Sequence, residues 1–124
     1  MKITLLIPDT SIKSFPRTKL LYNLLKPNFD LEVIAVSNKN EEEALFREAF
    51  PNLKKIKYNL GTIIADLNKG ITGDVIYAMR AKPTSFGFAM SLKAQKKLPV
   101  IVDIDSRELY NCYPYSTNFT KNFL

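Results

Sequence analysis

The chain has 124 residues, of which 46% are apolar and 24% are charged, a balance typical of one water-soluble globular domain. It contains no histidine and a single cysteine, Cys112, which leaves no zinc-ligand cluster, no histidine-based catalytic triad and no intramolecular disulfide. The first apolar run, 3–7, stops at Pro8 and is too short for a signal peptide or a membrane span, so we expect a cytoplasmic protein.

The net charge of +6 leaves open three classes of partner: nucleic acid, an anionic membrane surface and an acidic substrate. Several lysines fall beside a predicted strand start or in the last turn of a predicted helix, where cations complement the helix dipole. The sequence lacks the interleaved aromatic and arginine residues that are typical of single-strand binders. We therefore expect a solvated basic face and no nucleic-acid partner.

Apolar runs of strand length alternate with helical patterns along the first hundred or so residues. The predicted strands are 2–7, 31–36, 53–58, 75–79 and 100–104, and the predicted helices are 16–26, 41–50 with Asn40 as N-cap, 62–68 and 83–97. Four leucines of the first helix, at positions 20, 21, 24 and 25, predict a single core-facing stripe. The lysines of 53–58 favour an edge strand.

This alternation predicts an α/β, Rossmann-like domain, a parallel sheet of about five strands flanked by helices and joined by right-handed crossovers. We place this domain at residues 1–108. The remaining residues, 109–124, contain tyrosines and phenylalanines without helical or strand periodicity. We expect them to form an irregular aromatic tail that leads into missing structure.

Polar residues follow the first strand, where a dinucleotide fold would carry its glycine-rich loop. No glycine occurs before Gly61, so this turn does not match the pyrophosphate-binding fingerprint. Thr10, Ser11 and Ser14 either form the turn and cap the helix or contact a polar ligand through their hydroxyls.

Two cations follow the fourth strand, beside the helix that Pro83 opens. Arg80 and Lys82 would meet the free backbone N–H groups of that helix, where a phosphate or carboxylate could bind. The alternative is that Lys82 is solvated and that Arg80 pairs with Asp103 or Asp105 on the neighbouring strand.

Three acids end the fifth strand. Asp103 and Asp105 alternate with Ile104 and therefore point to the same side, and Glu108 follows closely. Such acids act as a base, bind sugar hydroxyls or hold a cation, or else they only cap a helix and neutralise arginines.

The same segments resemble a known family. Residues 73–78 (Gly-Asp-Val-Ile-Tyr-Ala), then Lys82-Pro83, then 99–105 with Glu108, resemble the N-terminal domain of bacterial family 4 glycosyltransferases of the GT-B fold. The opening residues 1–7, with Arg17 and 31–36, are similar to the first β-α-β unit of that domain. The resemblance covers about residues 1–108. Enzymes of this type have a second Rossmann-like domain that binds the nucleotide sugar, and we do not find its E-x7-E signature here.

The resemblance implies the acceptor-side part of an enzyme that transfers a sugar from a nucleotide sugar to an unknown acceptor. Donor binding would need a missing C-terminal domain or a second subunit, so this chain alone would be inactive. The resemblance also implies roles for the cluster: acceptor contacts for Asp9, Thr10 and Glu108, anion contacts for Arg80 and Lys82, and catalysis by Asp103 and Asp105. We expect neither a cofactor nor a metal.

Two further expectations complete this interpretation. Peripheral contact with the anionic inner face of a membrane is consistent with the basic charge. The alternative function is a non-catalytic α/β binding or scaffold module.

Overall fold

The structure is a computed structural model that describes residues 1–37 and 42–104. Several sequence-based predictions lie outside these described residues: Asn40, Glu41, Asp105, Glu108, Cys112 and the tail 109–124.

Strands and helices alternate through the described residues. In chain order they are β1 (Lys2–Ile7), α1 (Phe15–Leu25), β2 (Asp30–Val36), α2 (Glu43–Ala49), β3 (Lys54–Ile56), α3 (Ile63–Gly70), β4 (Val75–Met79), α4 (Phe88–Lys96) and β5 (Val100–Asp103). A π-helical segment, Pro83–Gly87, leads directly into α4. None of the helices in this part of the chain is long and apolar enough to cross a bilayer.

The strands form one open parallel sheet of five strands in the order β3-β2-β1-β4-β5. This confirms the predicted α/β, Rossmann-like fold. Strands β2 and β3 lie on one side of β1, and β4 and β5 lie on its other side. The strand order therefore reverses between β1 and β4, and the two loops that leave these strands diverge there.

Apolar side chains cover both faces of the sheet, as continuous Val, Ile and Leu runs in parallel strands require. On one face, Leu5 and Val33 pack with the aromatic rings of Phe46 and Phe50, and Phe15 and Tyr22 of α1 lie against this cluster. On the other face, Leu6, Ile34 and Ile76 pack against α3 and α4.

The first helix differs from its prediction in the direction of its leucines. Leu21 and Leu25 pack against the core, but Leu20 and Leu24 are 62% and 64% exposed. The four leucines therefore do not form one buried stripe. The helix meets the sheet through aromatic residues and the buried Thr18, which bonds back to the Ser14 carbonyl, so the outer leucines have no sheet surface to cover.

Other boundaries shift by a few residues. The second helix begins at Glu43, two residues later than predicted, and ends before Pro51, with Glu43 as an acidic residue in its first turn. The third strand is shorter than predicted, and it is an edge strand as expected. The last helix starts at Pro83 in π form, because the amides of Gly87 and Phe88 bond to carbonyls five residues back.

Candidate functional site

The carboxyl ends of β1 and β4 lie side by side at the point where the strand order reverses. In open α/β sheets, ligands bind in the crevice outside such a point. The segments that border it here are the loop after β1 (residues 8–14), the loop after β4 (80–82) and the end of β5 at Asp103. We refer to this region as the carboxyl edge.

Asp9 organises the first of these loops. Its Oδ1 atom accepts hydrogen bonds from the Ser11 amide at 3.0 Å, the Ser11 hydroxyl at 2.6 Å and the Ser14 hydroxyl at 2.7 Å. Burial by itself raises the pKa of Asp9, but these bonds and the charge of Arg80 outweigh it and lower that pKa below its usual value. Asp9 is therefore a fixed anion that accepts hydrogen bonds, and it is a poor proton acceptor at neutral pH.

Thr10 is fully buried behind Asp9. Its carbonyl accepts a hydrogen bond from the Glu42 amide at 3.1 Å, which ties the β1 loop to the start of α2. Its hydroxyl has no hydrogen-bond partner among residues 1–37 and 42–104. The structure therefore places Thr10 next to the proposed crevice but shields it from solvent.

Arg80 directly follows β4 and has an unusual backbone conformation. Its φ of 66° lies in the left-handed region, which non-glycine residues seldom adopt. The conformation is held from both sides, since the Arg80 amide donates to the Asp103 carbonyl at 2.9 Å and the Ser85 hydroxyl donates to the Arg80 carbonyl at 2.7 Å. Such strained positions cluster at functional sites, which makes Arg80 a candidate on geometry as well as on charge.

The loop after β1 contacts the segments that follow β4. The Thr84 hydroxyl donates to the Pro8 carbonyl at 2.8 Å, and the positive charge of Arg80 acts on the Asp9 carboxylate. Lys82 stands at the start of the π-helical segment in extended conformation and is exposed. The structure thus brings Asp9, Arg80 and Lys82 to one edge of the sheet.

Asp103 forms a two-point ion pair with Arg17 of α1. Arg17 Nε lies 2.8 Å from Oδ2 and Arg17 Nη2 lies 2.7 Å from Oδ1, so both carboxylate oxygens are engaged. Both side chains are about three-quarters buried, at 25% and 26% exposure. The sequence offered Arg80 as an alternative partner of Asp103 or Asp105. It did not predict the contact with Arg17, because this contact spans 86 positions and no local pattern reveals it.

Tyr77 is a second residue that sequence reasoning missed. Its phenol is partly buried, and burial raises its pKa, with a further rise from the negative charge of Asp103 and an opposing effect of Arg17. The phenol therefore stays a neutral hydrogen-bonding group beside the ion pair. Side chains two positions apart on a strand share a face of the sheet. Because Asp103 pairs with Met79, it lies on the same face as Tyr77, but the sequence does not reveal that pairing.

The opposite, amino edge of the sheet holds a different polar cluster. Glu32 is buried, and its carboxylate accepts hydrogen bonds from the Thr4 hydroxyl, from the amide and hydroxyl of Thr72 at 2.7 and 2.8 Å, and from the Gly73 amide at 3.1 Å. Lys54 approaches it at 3.2 Å and Lys2 at 3.6 Å. Burial alone raises the pKa of Glu32, but these donors lower it to about 2.

A solvent-open depression of about 340 Å³ lies beside this cluster and includes Lys2, Asp30, Asn52 and Lys54 in its lining. Both of its lysines already neutralise Glu32. The depression also lies at the amino ends of the strands, whereas sheets of this type bind ligands at the carboxyl ends. We assign the Glu32 cluster to stability.

The described residues contain no group of three or more metal-ligating side chains arranged to hold an ion. No protein-family model matches the chain, and no curated protein or solved structure is significantly similar to it. Function must therefore be inferred from the geometry of the carboxyl edge itself.

Proposed function

We propose that this chain is the acceptor-side domain of a GT-B-type glycosyltransferase, which binds a hydroxyl-rich acceptor at the carboxyl edge. The observation that carries the proposal is that Asp9 and Arg80, whose charges interact, follow β1 and β4 where the strand order reverses, with Asp103 at the end of the neighbouring β5. The resemblance of residues 1–108 to family 4 glycosyltransferases supports it.

A sugar suits the chemistry of this edge. Sugar hydroxyls both donate and accept hydrogen bonds, and fixed carboxylates beside cationic donors match them in both directions. The loop's own bonds to Asp9 all end on Oδ1, so Oδ2 takes no part in them. Arg80, whose charge acts on Asp9, would add cationic donors from the β4 side.

The turn after β1 is unsuited to the pyrophosphate of a nucleotide donor. Rossmann domains that bind dinucleotides place phosphate at the glycine-rich turn after the first strand. Here that turn has no glycine and holds the anion of Asp9. Repulsion between Asp9 and phosphate favours the acceptor over the donor as the ligand of this domain, with the nucleotide sugar bound by a further domain or subunit.

Within this proposal Asp103 and Asp105 remain the candidate catalytic acids and Glu108 a candidate acceptor contact, whereas Thr10 is fully buried and is no longer proposed to touch the acceptor. Because Arg17 engages both oxygens of Asp103, this carboxylate is better suited to orienting the acceptor than to accepting a proton. That observation favours a second candidate function, a non-catalytic binding module in which the Arg17–Asp103 pair only fixes β5.

Binding by the purified chain tests the proposal. Saturation-transfer NMR with glucose, mannose and N-acetylglucosamine measures sugar binding, and calorimetry with UDP-glucose and GDP-mannose measures nucleotide-sugar binding. We expect millimolar sugar binding that Asp9→Asn weakens and that Asp30→Asn, an exposed acid at the amino edge, leaves unchanged. We expect no micromolar affinity for either nucleotide sugar.

Two results would contradict the proposal. Micromolar binding of a nucleotide sugar to the chain alone would make it a donor-binding domain. Failure of all three sugars to bind would remove the glycosyltransferase proposal and leave the non-catalytic module.

A further inference from the structure

The two outer strands of the sheet differ in how they are protected. Strand β3 (Lys54–Ile56) begins with two lysines, which on an outer strand oppose pairing with a further strand. Strand β5 (Val100–Asp103) contains no lysine, and Ile101 within it is 47% exposed. In the described part of the chain, no strand pairs with β5 on the side away from β4. We call this side of residues 100–102 the β5 edge.

The backbone of β5 directs the hydrogen-bonding groups of two residues toward this edge. The Pro99 carbonyl accepts a hydrogen bond from the Ile76 amide of β4 at 3.0 Å and therefore points toward β4. Backbone groups of alternate residues share a side of a strand, so those of Ile101 also face β4. The N–H and C=O groups of Val100 and Val102 point the other way, and each of these residues offers one donor and one acceptor at the β5 edge.

We propose that the β5 edge pairs with the β5 edge of a second copy of this chain, in antiparallel orientation about a two-fold axis at Ile101. Val100 of each copy then lies opposite Val102 of the other and exchanges two hydrogen bonds with it. The two Ile101 side chains meet across the axis in a non-hydrogen-bonded pair, where side chains approach most closely. The contact joins the two five-stranded sheets into one continuous sheet.

The charges at the two ends of β5 favour this antiparallel self-pairing. The exposed Lys97 precedes the strand, and acids stand at positions 103 and 105. Antiparallel pairing sets the basic start of each strand beside the acidic end of the other, whereas parallel pairing would set like charges together. The two Asp103 residues would lie about 13 Å apart along the strands, since four residues at about 3.3 Å each separate them.

The inference is independent of the proposed acceptor site. The pairing uses the side of β5 away from β4, whereas the acceptor would bind outside the ends of β1 and β4. It also leaves Asp103 in its ion pair with Arg17. Loss of sugar binding would therefore not affect it.

Sedimentation velocity and hydrogen exchange on the full chain test the inference. We expect a monomer–dimer equilibrium with a micromolar dissociation constant, because a contact through one short strand is a small interface. The amides of Val100 and Val102 should exchange at least about tenfold more slowly well above that concentration than well below it. The amides of α2, the helix that connects β2 to β3 at the far side of the sheet, should change much less.

Two matched pairs of variants locate the contact. Ile101→Lys would set two ammonium groups opposite each other and should weaken the dimer by at least about tenfold. Met90→Lys adds the same charge at an α4 position of similar exposure, 45%, and should leave the dimer unchanged. Val102→Pro removes the outward N–H but no bond to β4, so it should also weaken the dimer by at least about tenfold, whereas Val102→Ala keeps the N–H and should dimerise more strongly than the proline variant.

Urea unfolding in dilute solution shows whether each variant is folded. If Ile101→Lys or Val102→Pro fails to fold, the other variant and the exchange of the wild-type amides decide.

The inference is wrong if the wild type stays monomeric at all concentrations. It is also wrong if the Val100 and Val102 amides are protected to the same degree at every concentration, because residues of the same chain would then cover the β5 edge. A dimer that both Ile101→Lys and Val102→Pro leave intact would place the contact elsewhere and overturn it as well.

Discussion

Replacing Glu32 by glutamine should destabilise the fold strongly. The carboxylate is only 3% exposed and receives hydrogen bonds from two threonine side chains and two backbone amides, with Lys54 at 3.2 Å. Glutamine keeps one acceptor oxygen but turns an NH2 group toward these donors. The free energy of unfolding at pH 7 should therefore fall by about 2–4 kcal/mol.

The pH dependence of unfolding gives a second value for the contribution of Glu32 to stability. A drop in the pKa of Glu32 from 4.5 when unfolded to about 2 when folded corresponds to about 3 kcal/mol. Because the folded pKa is the lower one, this stabilisation is fully present above about pH 5 and is lost as the pH falls toward 2. Glu32→Gln cannot show this loss.

Urea unfolding at several pH values between 7 and 2.5 measures both effects. The wild type and Glu32→Gln should differ most at pH 7, and their curves should approach each other in acid. Asp30→Asn, on the same strand but exposed, should follow the wild type throughout. Parallel curves for the wild type and Glu32→Gln across the whole range would refute the assignment of the Glu32 cluster to stability.

Two further substitutions, each with a control variant, test the contacts at the two edges of the sheet. A Cβ atom on Gly73 would overlap the Thr4 hydroxyl and lie 2.8 Å from the Thr4 nitrogen, so Gly73→Ala should lower the free energy of unfolding by about 1–3 kcal/mol, measured by urea. Gly61→Ala, which meets only an ordinary contact at 3.6 Å, should change it by less than about 0.5 kcal/mol, and equal losses would refute the overlap. Arg17→Ala should cost about 1 kcal/mol and speed amide exchange in β5, whereas Arg47→Ala, which breaks a pair within α2, should leave that exchange unchanged.

The fold could be predicted from the sequence because its signals are local. Mostly apolar runs such as 31–36 specify buried parallel strands, and the prolines at 16, 51 and 83 lie at or next to helix ends. The bounds of α2 and β3 were less accurate, because charged residues continue the helical or strand pattern past the point where packing supports it.

The candidate site could be predicted only in part. Parallel strands bring their carboxyl ends together, so Asp9, Arg80 and Asp103 were expected at one edge. The partner of Asp103 was not predicted, because Arg17 reaches it across the sheet face from a distant helix. The Glu32 cluster was missed for the same reason. The donors that stabilise this glutamate inside an apolar strand include Thr72 and Gly73, about forty residues away in the sequence.

The exposed leucines of α1 show a different limit. Periodicity identified Leu20, Leu21, Leu24 and Leu25 as one group, but it does not tell which half faces the core. That depends on the bulk of Phe15 and Tyr22, which occupy the space between the helix and the neighbouring α2.

Amide chemical-shift mapping on the isotope-labelled full chain tests the central claim most directly. On titration with N-acetylglucosamine at millimolar concentration, the largest shifts should fall on the loop after β1, at Asp9 to Ser14, and on Arg80 to Lys82. The largest shifts at the amino edge, around Lys2, Glu32 and Lys54, or small shifts spread evenly over the surface, would contradict the assignment of the carboxyl edge as the acceptor site.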